Sequence, residues 1–126
     1  MPDKLSHLTV LIFQNQENHN ISTVLKSGNE NIHIITSANA EETLRLFALH
    51  PEINMALVSA DLAGLTEFEV IRSLRNQNPA IPIILLSNYL NLPAIRLANM
   101  LGCNEILQTP VNQPTLQGII FKYFNN

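Results

Sequence analysis

Four apolar runs in this 126-residue chain end in polar residues able to take part in chemistry, and the residues at those ends are neutral: Gln14 and Asn15, Ser59, Ser87 and Thr109. Amide carbonyls can coordinate a cation but bring no charge. Mg²⁺ gives up its water reluctantly and usually takes at least one carboxylate together with phosphate. The acids nearest in sequence are Glu17 and Asp61. Glu17 can supply one metal carboxylate if the first loop slips; otherwise it is a solvated loop residue or a helix N-terminal acid favoured by the dipole. His7, His19, His33 and His50 fall on separate elements and make no metal-ligand set. His33 reads as a satisfied side chain in a strand. Cys103 reads as a small buried residue. No G-x-G-x-x-G, P-loop or G-x-S-x-G pattern occurs, which leaves nucleotide-binding and hydrolase chemistry without support.

The elements that must position these residues follow from the hydrophobic pattern. Leu8–Phe13 is short, continuous and apolar, as a strand buried on both faces should be. Ile32–Thr36, Ile53–Ser59 and Ile81–Ser87 read the same way, and Glu105–Leu107 is a weaker fifth. Helical spacing fills the gaps. Ile21, Val24 and Leu25 share a face ahead of a stop at Gly28 and Asn29. Glu41–His50 aligns Leu44, Phe47 and Ala48 and ends at Pro51. Phe68–Arg75 carries Val70, Ile71 and Leu74. Leu92–Leu101 aligns Ile95, Leu97, Ala98 and Leu101, with Pro93 in its first turn and Gly102 as its cap. Pro114–Phe124 aligns Leu116, Ile119, Ile120 and Tyr123. Five β-α units with strands apolar throughout imply a doubly wound parallel sheet, covered on both faces. Ligands of such sheets bind at the carboxyl ends of the strands. The segments of interest are therefore Gln14–Glu17, Ser59–Gly64, Ser87–Tyr89 and Thr109–Pro110.

Composition narrows the class. The length suits one domain, 1–126, with a core over about 8–124. A hydrophobic share of 46% and a charged share of 13% argue against disorder. The net charge of −3, with seven scattered basic residues, leaves no footprint for nucleic acid. No apolar run approaches the roughly 18 residues of a membrane span. A lone cysteine fits a reducing cytosol, so a cytoplasmic location is expected.

Three stretches resemble the receiver domain of bacterial response regulators, the CheY-like member of the flavodoxin-type folds. Gly64-Leu65-Thr66-Glu67-Phe68-Glu69-Val70-Ile71 resembles the loop after the third strand, commonly P-G-M-D-G-F-E-V-I. Ile81–Ser87 resembles the fourth strand ending in Ser or Thr. Gly102-Cys103-Asn104-Glu105-Ile106-Leu107-Gln108-Thr109-Pro110 resembles G-A-x-D-Y-L-x-K-P. The resemblance covers about Leu8 to Phe124 and implies a (βα)5 sheet in strand order 2-1-3-4-5. It also implies two-component signalling, in which a histidine kinase passes a phosphoryl group to an aspartate. That chemistry needs an acidic pair for Mg²⁺, an acceptor Asp and a Lys. Carried over, the pair falls on Gln14 and Asn15, the acceptor on Ser59 and the Lys on Thr109. Only the Ser/Thr position is retained, at Ser87. The aromatic switch position falls on Ile106. The Thr109–Pro110 peptide is expected to be cis.

The resemblance therefore implies a degenerate, or pseudo-, receiver. It is expected to be no enzyme, to need no cofactor and to act by protein–protein contact. Ser59 reads as a small filler hydrogen-bonded to Ser87, with a kinase-modified serine as the alternative. Asp61 is the alternative acceptor if the loop were two residues shorter. An uncharged ligand at Gln14, Asn15, Ser59 and Ser87 is a third reading. Expected partners are a histidine kinase, another regulator or an output domain, with nucleic acid and membrane excluded. The partner face implied by the family is the fourth helix, fifth strand and fifth helix, with Tyr89, Leu92, Ile95 and Tyr123 in or beside it, and a homodimer through this face is plausible.

Overall fold

The computed structural model describes residues 8–14, 21–27, 32–60, 65–88 and 91–124. The elements are β1 (Thr9–Gln14), α1 (Ile21–Ser27), β2 (His33–Ser37), α2 (Ala40–Leu49), β3 (Met55–Ala60), α3 (Leu65–Gln77), β4 (Ile83–Ser87), α4 (Leu92–Met100), β5 (Glu105–Gln108) and α5 (Gln113–Phe124). All strand pairs are parallel, and the sheet order is β2-β1-β3-β4-β5, as expected. The strands begin one or two residues later than the apolar runs do. Leu8, Ile32, Ile53 and Ile81 precede the ladders but are buried with them.

Strand alternation splits the core in two. Leu11, Phe13, Ala56, Val58, Ile83 and Leu85 point to one side and pack with Phe47 of α2, Val70, Ile71 and Leu74 of α3 and Ala98 of α4. Val10, Ile12, Met55, Leu57, Ile84 and Leu86 point to the other and pack with Ile21 and Leu25 of α1 and Leu116 and Ile120 of α5. Burial on both sides is confined to the three central strands. The edge strand β2 leaves His33 and Thr36 exposed, and β5 is only partly covered. His33 thus faces solvent, because an edge strand lacks a neighbour on one flank.

Two helix faces differ from the sequence reading. Ala48 is exposed, and Thr43 is buried in its stead. The Thr43 hydroxyl donates to Asn39 O at 2.7 Å and also bonds to the Ser37 hydroxyl, which makes its burial affordable. In α4 the fully buried residue is Ala98, with Ala94 and Leu101 flanking it, while Leu97 is exposed. Leu97 is turned to solvent, on the side away from the stripe of Ala94, Ala98 and Leu101. α3 begins at Leu65, three residues earlier than its apolar spacing indicates.

Asparagines start three of the helices. Asn39 Oδ1 accepts from Glu42 N (2.7 Å), Asn91 Oδ1 from Ala94 N (2.9 Å) and Asn112 Oδ1 from Thr115 N (3.0 Å). α4 ends at Gly102, whose φ of 104° is open to glycine.

The glycines at 102 and 118 should respond to alanine with opposite signs. At Gly102 a Cβ would lie 2.8 Å from the Cγ and Nε of Arg75, and the left-handed backbone alone costs about 1–2 kcal/mol for alanine. Gly118 lies on an exposed helical surface with open space around it, and Gly118→Ala should add about 0.5–1 kcal/mol. Urea unfolding of both variants checks the pair.

Candidate functional site

Parallel pairing gathers all strand carboxyl ends at one pole of the sheet. Gln14 is in register with Ser59, and Ser59 with Leu86. Ser87 is one step further along, in register with Ala60 and Gln108. Thr109 N–H donates to Ser87 O at 2.8 Å, which carries the β4–β5 pairing one residue past the strand. Ser59, Ser87 and Thr109 are 1%, 0% and 5% exposed. The Thr109–Pro110 peptide bond is cis. Asn15, Glu17, Asp61, Gly64 and Tyr89, like Gly28, Asn29 and Leu90, lie outside the described residues.

The register overturns one expectation. Ser59 does not hydrogen-bond to Ser87: its Oγ is buried without a partner. Ser59 shares the level and side of Leu86, so Ser87, the next residue, is turned to the opposite side of the pleat. Ser59 thus belongs to the α1/α5 side and Ser87 to the α2/α3/α4 side. The Thr109 hydroxyl is likewise buried without a partner. Ser59 is sealed from solvent, so a kinase acting on serine would have no access to it.

Charge is sparse here. Glu67, in the first turn of α3, follows the carboxyl end of β3 and is buried and already engaged by another group. The sequence reading missed it, although an acid in the first turn of a helix is a recognisable signal. Among the described residues no three of His, Cys, Asp or Glu converge on a common point. Gln14, Ser59 and Thr109 offer neutral oxygens, so this donor set does not fit Mg²⁺. Ile106 is half-buried and packs on the α2/α3/α4-side core, with no group able to hydrogen-bond.

On α4, Leu92, Leu97 and Met100 are exposed and Ile95 is half-buried, and on α5 Phe121 is exposed. Tyr123 is turned inward, unlike a free contact residue. Its hydroxyl donates to Glu105 Oε2 at 2.6 Å, and Lys122 Nζ donates to the same oxygen at 2.7 Å. Lys122, then Tyr123, hold the Glu105 carboxyl below the usual carboxylate range. Burial first, then the bond to Glu105, pushes the Tyr123 phenol up to about 12. Burial also pushes the Cys103 thiol up to about 11, leaving it an unreactive packing group. At the opposite pole a cleft of about 240 Å³ lies between Phe47, Pro51, Ile53 and Asn78. Its one titratable group, His50, sits 2.9 Å from the Glu52 carboxylate.

The model for the family described as Flagellar regulatory protein FleQ matches residues 9–120. No curated protein matches the sequence. Among solved structures the chain is similar to the chemotaxis protein CheY4 of Vibrio cholerae, at 17% identity over 92% of this chain and 98% of that one, with a TM-score of 0.78. It is similar to the signal receiver domain of a modulated diguanylate cyclase from Desulfovibrio desulfuricans, at 23% identity over 92% of each chain and a TM-score of 0.76. It is also similar to NtrX of Brucella abortus, at 15% identity and a TM-score of 0.78, over 94% of this chain and 27% of that one. At these identities the likeness is one of fold.

Two predictions follow from this geometry. A buried hydroxyl without a partner keeps its desolvation cost of about 1–3 kcal/mol, so Ser59→Ala and Thr109→Val should each raise stability in urea, by about 1 kcal/mol. A loss instead would mean that a bound group satisfies the hydroxyl in solution. Glu105 contributes stability above the usual carboxylate pKa of about 4.3, and that contribution fades as pH falls through its lowered folded value. Glu105→Gln should therefore cost up to about 1 kcal/mol at pH 7, a surface-pair magnitude, and the gap to wild type should close on acidification in pH-dependent unfolding.

Proposed function

The chain belongs to the FleQ family of flagellar regulatory proteins, and we propose that it is a receiver-like signalling module that works by protein–protein contact, without aspartyl phosphorylation and without bound Mg²⁺. One observation carries this reading. Where a phosphoacceptor carboxylate would stand there is Ser59, neutral, sealed at 1% exposure and in register with neutral Gln14. A serine cannot form the labile acyl phosphate of an aspartate. Thr109 stands where a lysine would add positive charge, so among the described residues of the strand ends neither an acceptor acid nor a cation to steady the product is in place.

The partner is a histidine kinase, another regulator, an output domain or a second copy of the chain. Support for the contact comes from α4, where Leu92, Leu97 and Met100 leave apolar surface in water. Signal state then follows from partner concentration or from a fixed conformation. Ile106 cannot make the hydrogen bond through which an aromatic switch would read Ser87.

A second reading is favoured by the two sealed hydroxyls of Ser59 and Thr109. Buried donors without partners suit an uncharged ligand that would supply them, which makes the pole a sensor site. A third, a divergent phosphoacceptor at Asp61, predicts metal dependence.

A ¹H–¹⁵N NMR titration with Mg²⁺ and then beryllofluoride separates these. The expected result is no saturable shift at Gln14, Ser59, Ser87 or along α4. Saturable shifts lost in Asp61→Asn would replace the proposal with the phosphoacceptor. As a positive control, the combined variant Gln14→Asp, Asn15→Asp, Ser59→Asp, Thr109→Lys should bind Mg²⁺ at millimolar concentration.

A further inference from the structure

α4 is thinly anchored. Ala98 is its one fully buried residue, while Leu92, Leu97 and Met100 face outward. At its start the cap is a single asparagine, Asn91. Its far end is held differently. The Arg75 guanidinium, from the last turn of α3, donates from Nε (3.1 Å) and Nη2 (2.7 Å) to Gly102 O. Nη2 also donates to Asn104 Oδ1 at 2.7 Å, and Nη1 to Asn78 O at 3.1 Å. Asn104 Oδ1 in turn accepts from Ile83 N at 2.8 Å, and Asn104 N–H donates to Ile83 O at 2.8 Å. One side chain thus joins the end of α3, the turn between α4 and β5, and the first residue of β4.

The acceptors are all neutral oxygens. Asn78 O and Gly102 O lie just past the C-terminal turns of α3 and α4, where unpaired carbonyls carry partial negative charge. A planar fork with five N–H donors suits oxygens in several directions, whereas a lysine ammonium concentrates its charge at one point. Gly102 admits the guanidinium because it has no Cβ; a methyl group there would meet Arg75 Cγ and Nε at 2.8 Å. Burial lowers the Arg75 pKa, but an arginine remains charged, so the brace does not switch with pH.

We infer that Arg75 is the positioning residue that fixes the α4–β5 segment, setting the orientation of that face from the pole opposite the strand carboxyl ends. The value of this brace for signalling rests on the partner-binding reading above; its mechanics do not. With Arg75 in place, α4 is pinned at its C-terminal end and, among the described residues, capped by Asn91 at the other.

Amide hydrogen exchange followed by NMR tests this in Arg75→Lys, which keeps the charge and loses the fork, and in Asn104→Ala, which removes one acceptor. Exchange at Leu101, Cys103 and Asn104 should quicken by about tenfold or more in Arg75→Lys, while Val10–Phe13 of β1 stay within about twofold of wild type. Asn104→Ala should show a smaller change in the same place. Uniform acceleration across the sheet, or none at the α4–β5 turn, would overturn the inference. The readout involves no partner, so it stands or falls separately from the proposed function.

Discussion

The pairing of β1, β3 and β4 is the interaction on which everything else rests. These strands are buried on both faces, so their backbone groups must find each other rather than water. Once the ladder Val10↔Met55 through Gln14↔Ser59 is formed, each side chain is committed to one of two helical layers. A slip of one residue would send every apolar side chain to the wrong layer. The same commitment fixes the strand ends. Gln14 and Ser59 share a level and a side, and Ser87 is turned away from both.

That constraint gives the neutral pole a physical logic. The core continues without a break from Val58 to Ser59 and from Leu86 to Ser87, and all four are at most 1% exposed. A carboxylate at the position of Ser59 would need a cation to offset its desolvation, and a lysine at Thr109 would need an anion. Removing one alone would strand the other as an unpaired buried charge. The hydroxyls of Ser59 and Thr109 cost less to bury than either charge, and the fold closes over them.

Polar work elsewhere in the molecule is done by pairs in which one group serves several. Glu105 Oε2 receives both Lys122 and Tyr123, tying α5 to β5. Arg75 serves two helix ends and the Asn104 side chain in the turn before β5. These contacts tie together the elements around the edge strand β5, which has a neighbour on only one side.

Local order along the chain was legible because periodicity is written in contiguous residues. Apolar runs such as Ile83–Leu86 and helical spacing such as Val70, Ile71 and Leu74 were enough for the five β-α units and their parallel class. The ends of elements were less so: α3 starts at Leu65, ahead of Phe68, with polar Thr66 and Glu67 in its first turn. Thr43 against Ala48 was misjudged because a hydroxyl's burial depends on a partner, here Asn39 O, that hydropathy does not report. Residue types at the strand ends were settled by the sequence itself. Which side of the pleat each end residue takes, which strands lie at the edge, and the meeting of Arg75 with Gly102 were decided only by the tertiary structure. Those features arise from pairing between segments far apart in the chain, and no local pattern records where two distant segments come into register.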